Sequence, residues 1–380
     1  MDFPIEFAIF GLVLAGIAGF HRHTLPISLA GAAIVVALKW RAGFPLAHHF
    51  REEAGLLVNL IGLLLGFAAL AKHFEASGLP ALMPRLLPDD WKGSFCLLLL
   101  VFVLSTFLDN IAAALVGGTV AASVFRGRVS VGYLAALVAA SNAGGAGSVL
   151  GDTTTTMLWI AGVPAGQVLH AFIGSGIAVF AFGIPAALRQ HRYQPIQADP
   201  TSGARVDGKR VALVLTVLAG AVLANLWLDF PAAGVWAALL LWSPFVRFPF
   251  GEMPQALRGA VFLSALVLIA SLMPVERLPA ASWPTALGLG FVSAVFDNIP
   301  LTRLALEQGG YDWGILAYAV GYGGSLLWFG SSAGVALAAG FPEMRSIGKW
   351  LREGWYLLPA YVFGFFAMLA AAGWHPGALP

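Results

Sequence analysis

Charge is scarce in this chain. Asp, Glu, Lys and Arg make up 11% of its 380 residues, against roughly 25% in ordinary soluble domains. A soluble protein so poor in charge cannot cover its surface. Cysteine is almost missing: Cys96 stands alone, so no intrachain disulfide and no Cys-x-x-Cys metal site can form, and an apolar packing role is expected for it. No GxxxxGK[ST] run marks an ATP-driven pump, no HExxH a metalloprotease, and no GxSxG a nucleophile elbow. A membrane enzyme is therefore disfavoured, and no cofactor is expected. The net charge of +2 gives no basis for a nucleic-acid partner, because its placement matters more than its sum.

What is present is apolar sequence. Hydrophobic residues reach 59%, and uncharged runs cover 54–71, 93–108, 166–188, 211–228, 278–296, 313–342 and 354–380. Several meet the roughly 18-residue threshold for a bilayer-spanning helix. Gly (45) and Pro (22) are frequent, as transmembrane helices tolerate and discontinuous ones require. The apolar N-terminus, 1–20, lacks a basic n-region and a small-residue cleavage site, so a retained first helix is expected there.

The reading is an all-α membrane protein of about ten transmembrane helices plus two re-entrant hairpins. The spans are expected near 3–20, 25–40, 54–73, 130–162 (interrupted), 166–188, 210–228, 231–247, 256–273, 312–340 (interrupted) and 351–373. Two apolar pairs, 93–108 with 111–125 and 283–296 with 299–308, are too short for two spans each and carry Asp-Asn at their middle. A polar turn at membrane depth is tolerated only inside protein or beside water, which predicts re-entrant hairpins over about 93–125 and 283–308. Segment 74–92, with Pro80, Pro84, Pro88 and several charges, suits an interfacial connector.

Five crossings then precede the basic linker 189–209 and five follow it, so the halves, 1–188 and 210–380, are expected to be inverted repeats. Charge tests this independently. With the linker cytoplasmic and both termini external, all of the 21 Lys/Arg except Lys39, Arg41, Arg51, Arg277 and Arg303 fall on the cytoplasmic side, as the positive-inside rule requires. The repeat is also visible in residues: Phe107-Leu-Asp109-Asn110-Ile111 corresponds to Val295-Phe-Asp297-Asn298-Ile299, and Gly144-Gly145 with Gly151-Asp152 corresponds to Gly323-Gly324 with Gly330-Ser331. Inverted repeats with broken helices meeting near the midplane are the architecture of many secondary transporters.

Asp109 and Asp297 stand alone in apolar sequence. A carboxylate at membrane depth costs at least about 2.5–3.5 kcal/mol on insertion scales, so it needs a partner or a purpose. Capping the second hairpin arm is one purpose, but recurrence at symmetric positions of two repeats argues for more, and capping and binding are compatible. Asp152 follows Gly144, Gly145, Gly147 and Gly151 and precedes Thr153, Thr154 and Thr155. So many glycines disfavour a continuous helix, and an unwound helix offers carbonyl oxygens to a hard cation beside carboxylate and hydroxyl oxygens. Asn110, Asn142 and Asn298 add amide oxygens; Ser325, Ser331 and Ser332 supply hydroxyls from the second half, with Gly323, Gly324 and Gly330 as its break. A close-packing glycine face is the competing explanation; it accounts for the glycines but not for Asp152.

Buried carboxylates also hold protons, since desolvation favours the neutral form. A cation entering the same oxygens expels the proton. Competition of Na⁺ (or Li⁺) and H⁺ for one site that faces one side at a time is antiport, with Asp109 and Asp297 the expected exchanging pair and Asp152 adding coordination or a second site. Arg303, six residues after Asp297, has three readings: pairing with a core carboxylate to tune it, pairing with Glu307 one turn on, or snorkelling to the external interface. Asn59, His170 and Asn225 read as helix–helix contacts, and His21, His23, His48 and His49 as solvated loop histidines.

At these residues the chain resembles the NhaD-type sodium/proton antiporters of the ion-transporter superfamily, which also holds citrate, dicarboxylate and arsenite carriers. The run from Ser141 through Gly151-Asp152-Thr-Thr-Thr-Thr-Met-Leu-Trp-Ile160 carries the resemblance, with Asp109-Asn110, Asp297-Asn298-Ile299-Pro300 and Gly323–Gly334 in support. It covers roughly 93–165 and 285–340. It implies a bacterial inner-membrane homodimer with scaffold helices, re-entrant hairpins and broken helices, moving its transport domains elevator-fashion. The chain is shorter than typical members, and Arg303 has no place in that pattern. Two rival readings remain. An anion carrier for citrate-like acids or arsenite would, by the same resemblance, carry neutral Ser-Asn-Thr tips, whereas these tips carry Asp, which repels a polyanion. A passive cation channel fits discontinuous inverted repeats less well than alternating access does.

Overall fold

Most helices begin at a polar side chain that satisfies their free N–H groups. A computed structural model describes residues 4–20, 23–197 and 205–377, and among these every regular element is helical. In chain order the α-helices are α1 (Ile5–Gly19), α2 (Thr24–Arg41), α3 (Leu46–Glu75), α4 (Trp91–Leu104), α5 (Asn110–Val124), α6 (Val131–Ala146), α7 (Thr153–Ile160), α8 (Ala165–Leu169) and α9 (Ala171–Tyr193). There follow α10 (Gly208–Leu228), α11 (Pro231–Trp242), α12 (Met253–Ser271), α13 (Trp283–Ser293), α14 (Asn298–Gln308), α15 (Trp313–Gly323), α16 (Ser332–Gly340), α17 (Ile347–Glu353) and α18 (Leu357–Ala372). Asp90 caps α4, Ser130 caps α6, Asp312 caps α15, and Ser282 forms a capping box with Thr285 at the start of α13.

Among the described residues, five helical segments are long and apolar enough by themselves to cross a bilayer: Thr24–Arg41, Leu46–Glu75, Ala165–Tyr193, Gly208–Leu228 and Phe250–Ser271. A sixth, Ile347–Glu353 with Leu357–Ala372, is bent by 58°. α1, α4, α5, α6 and α11 are apolar but shorter. The protein is thus an all-α membrane protein in which much of the apolar chain is broken or paired.

Two layers form. The outer one joins α1 to α2, α2 and α3 to α12, α3 to α11 and α10 to α11. In the inner one α4 and α5 pack on α6, α13 and α14 on α15, and α9 on α18, while α6 meets α15. All sixteen residues of α6 are buried, as are all eleven of α15, the pattern of helices surrounded by protein on every side. Tyr318, Tyr322 and Tyr361 stack between α15 and α18 with ring centroids 5.6–5.9 Å apart. Their hydroxyls donate to the Tyr361, Leu357 and Leu287 carbonyls at 2.9, 3.1 and 2.9 Å.

Several expectations change. α3 begins at Leu46, not near 54, so His48 and His49 lie in its first turns and not in a loop. His48 pairs with Glu52, and His49 Nε2 meets Ser271 Oγ at 2.9 Å. His21 and Arg22 lie outside the described residues, as does 198–204 of the linker. Asn59 does make a helix–helix contact: its Oδ1 accepts from the Ala232 N–H at 3.0 Å, tying α3 to α11.

Candidate functional site

Four half-helices start at one place. Asp109 caps α5, accepting from the Ile111 N–H at 2.8 Å, and Asp297 caps α14, accepting from the Ile299 N–H at 3.1 Å. Asp152 caps α7 through the Thr154 N–H at 3.1 Å, and Ser331 caps α16 through the Gly334 N–H at 3.4 Å. The caps come in matched conformations. Asp109 and Asp297 have φ/ψ of −50°/141° and −53°/141°, and Asp152 and Ser331 have −146°/143° and −138°/152°.

The two tips cross over to the opposite broken helices, with α5 packing on α16 and α14 on α7. At the centre lies Asp152, 2% exposed. Its Oδ2 accepts from Asn110 Nδ2 and from Asn298 Nδ2, each at 3.2 Å. Asn110 Nδ2 also donates to Asn142 Oδ1 at 3.0 Å, and Asn142 Nδ2 to Ser325 Oγ at 2.9 Å. This network joins residues from both halves of the chain and is wholly buried.

Asp109 and Asp297 are placed differently. Both are partly exposed and line a cavity of about 1380 Å³, together with Ser331 and Ser332. Ser332 Oγ donates to Asp297 Oδ2 at 2.9 Å. The cavity runs between α3 and α12 on one side and α5 on the other, towards the end of the molecule that carries Lys72, Glu75, Glu252 and Arg258. Asp152 sits behind this wall. Among the described residues no three acidic, His or Cys side chains converge as ligands of a single metal ion.

The other expected site residues divide by what they touch. Thr153 occupies on α7 the position Ser332 occupies on α16, first after the cap. Thr154 Oγ1 is buried without a hydrogen-bond partner. Thr155 Oγ1 instead faces the chain, near the Asp152 carbonyl at 2.9 Å and the Gly145 carbonyl at 3.4 Å, and so braces the break. The glycines serve close approach, not left-handed backbone: none of the six has positive φ. A Cβ on Gly144 would lie 2.0 Å from the Phe102 carbonyl oxygen, on Gly151 1.9 Å from that of Ser105, and on Gly323 2.1 Å from that of Gly290. Gly145, Gly324 and Gly330 are similarly tight, at 2.6, 2.9 and 2.4 Å from backbone oxygens. Gly144 and Gly145 lie within α6 and Gly323 ends α15, so the breaks begin after them.

Arg303 pairs with Glu307 on its own helix and with Glu53 of α3. It bonds none of the three site aspartates, and at 6% exposure it does not snorkel. The sequence does not mark Glu53, which falls just before the expected span 54–73.

Compared with known proteins, the chain matches the citrate transporter family, CitMHS, over residues 10–323. The chain belongs to that family. As a member of the citrate transporter family it is a transporter and not an enzyme. Relatives within this likeness carry NhaD names: the Na(+)/H(+) antiporter NhaD of Alkalimonas amylolytica is 27% identical over 93% of this chain and 86% of its own length. That of Vibrio parahaemolyticus is 28% identical over 83% and 92%. Sodium/proton antiporter 1 of Arabidopsis thaliana is 30% identical over 72% of this chain, which spans only 54% of that relative. The transporter is thus NhaD-like along most of its length.

Proposed function

We propose that this transporter exchanges Na⁺ (or Li⁺) for H⁺ by alternating access across a bacterial inner membrane, with α1–α9 and α10–α18 as inverted repeats. The observation that carries this reading is the pair of hairpin-tip carboxylates, Asp109 and Asp297, facing one water-sized path while Asn110 and Asn298 clasp Asp152 behind them. Helix N-termini are positive ends, and four of them bare would draw an anion. Three of the four caps here are aspartates, which reverse the sign and favour a cation. Oxygen from the hairpin tips at Asp109 and Asp297, and from Ser331 and Ser332 at the start of α16, all lining the cavity, suits a hard ion. Proton and cation then compete for Asp109 and Asp297.

The matched cap conformations and the crossed packing support two repeats related by inversion. The positive-inside rule puts the Lys72–Arg258 end in the cytoplasm and both termini outside, so the cavity faces inward. The outer helices α1–α3 and α10–α12 form the scaffold and, as the resemblance implies, a homodimer contact. A citrate reading is favoured by the family's description but opposed by three carboxylates where a tricarboxylate would bind.

The deciding experiment is cation-induced dequenching of a pH-sensitive dye in acid-loaded vesicles. Wild type should respond to Na⁺ or Li⁺, and Asp109→Asn and Asp297→Asn should not. No response from folded wild type overturns the reading, and citrate uptake by the same vesicles would then support the second one.

A further inference from the structure

Arg303 and Glu53 join the second hairpin to the outer layer, and neither lines the cavity. Arg303 lies in α14, one arm of the second hairpin, and Glu53 lies in α3 of the outer layer. Both are buried, at 6% and 9% exposure. The two ends of the molecule are not equivalent. α14 packs along α12, with Leu304 in one apolar cluster with Leu266 and Ile269, whereas the cavity separates α5 from α3, the corresponding pair of the first half. One side is shut, and the only ion pair across that seam among the described residues is Arg303 with Glu53.

We propose that Arg303 and Glu53 are the latch that keeps the external path shut in this cavity-open state, with Glu307 as the partner that holds Arg303 when the latch parts. This rests on the alternating-access reading. A charge left unpaired at membrane depth is costly, so a plain two-residue latch would be expensive to open. Here Glu307 lies one turn from Arg303 on the same helix and already shares its guanidinium. When α14 leaves α3, it carries a compensated couple, and Glu53 is released towards external water. The latch is not built for maximal stability: Glu53 Oε2 and Arg303 Nε take no hydrogen bond. A buried pair of this kind contributes specificity of arrangement more than stability.

The two acids must therefore act in opposite directions. Glu53→Gln frees α14 from α3 while leaving Arg303 compensated. Glu307→Gln leaves Arg303 dependent on Glu53 and tightens the closure. The test uses the full chain with Cys96→Ser and a reporter at Thr119→Cys on the cavity wall, labelled by an impermeant maleimide from the cavity side in sealed vesicles, with Na⁺/H⁺ exchange measured in parallel. Glu53→Gln should slow labelling by about threefold or more as the population shifts to the other face, and Glu307→Gln should leave labelling as fast or faster while exchange falls. Equal labelling in parent, Glu53→Gln and Glu307→Gln overturns the latch even if exchange is robust. Opposite shifts in a parent that shows no cation exchange keep the latch and sink the antiport reading instead. If Glu53→Gln does not fold, Glu307→Gln decides alone: unchanged exchange refutes the proposal.

Discussion

Asn298 donates to Asp152, its Nδ2 lying 3.2 Å from Oδ2 and 3.5 Å from Oδ1, across 146 positions of sequence. Asn110 reaches the same Oδ2 from the other hairpin. One carboxylate thus holds both tips, and neither can shift relative to Asp152 without giving up this acceptor.

Removing either donor should show this coupling. A hydrogen bond to a charged group contributes about 1.5–3 kcal/mol, so Asn298→Ala or Asn110→Ala should slow exchange by roughly tenfold or more. The double variant should cost less than the product of the two, because the pair shares Asp152. Rates from dye dequenching in a double-mutant cycle check it, and strict additivity would mean that the two amides act separately.

Ser332 and Ser331 adjoin in sequence but do different work. Both line the cavity, but Ser332 donates to Asp297, whereas Ser331 is 1% exposed and its hydroxyl is taken up in capping α16. Ser332→Ala should raise the half-saturating Na⁺ concentration by about three- to tenfold with little loss of maximal rate, the signature of lost ground-state binding. Ser331→Ala should cost about 1 kcal/mol of stability, as caps do, and lower the melting temperature. The reverse pattern would exchange the two roles.

The sequence exposes the centre of this protein because charge is rare in it. Asp109, Asp152 and Asp297 stand out against apolar surroundings, and the structure places all three at helix starts. Which of them meets water is not visible in sequence: Asp152 is hidden behind Asn110 and Asn298 by the crossing of the hairpins, a long-range event with no local mark. The glycines leave two readings open in sequence, a helix break and close packing; at Gly144 and Gly323 the structure shows close approach to a neighbouring backbone, with the helix ending just beyond. By position Thr155 reads as a ligand, yet its hydroxyl turns to the carbonyls of its own segment. Glu53 needed α3 to continue to Leu46, and the charged stretch Arg51-Glu52-Glu53 hides that continuation from any reading based on apolarity.

Gly144 offers a test of close packing that leaves every polar group in place. A methyl there would sit 2.0 Å from the Phe102 carbonyl oxygen, and the atom in its way is backbone, not a side chain that can rotate aside. α6 and α4 would have to part, which disturbs the hairpin tip that α4 carries. Gly144→Ala should therefore lose about 1–3 kcal/mol or more from overpacking, with a lower melting temperature and poor exchange. Gly176→Ala, whose methyl meets nothing within 4 Å, should be neutral or slightly stabilising, because alanine favours helix over glycine by about 1 kcal/mol.

Val335 tests the path itself. It lies on α16, is 38% exposed and lines the cavity one turn beyond Ser331 and Ser332. Its side chain meets open space, so a larger group there narrows the passage without overpacking a core. Val335→Trp should keep the melting temperature within a few degrees, since surface changes away from buried contacts seldom exceed about 0.5 kcal/mol, while exchange falls at least about tenfold, a 1.4 kcal/mol effect. Leu240→Trp, at a 67% exposed position outside the cavity lining, is the control and should transport normally. Equal exchange in the two variants would mean that ions reach Asp109 and Asp297 by another route, and that the cavity between α3, α12 and α5 is not the entry.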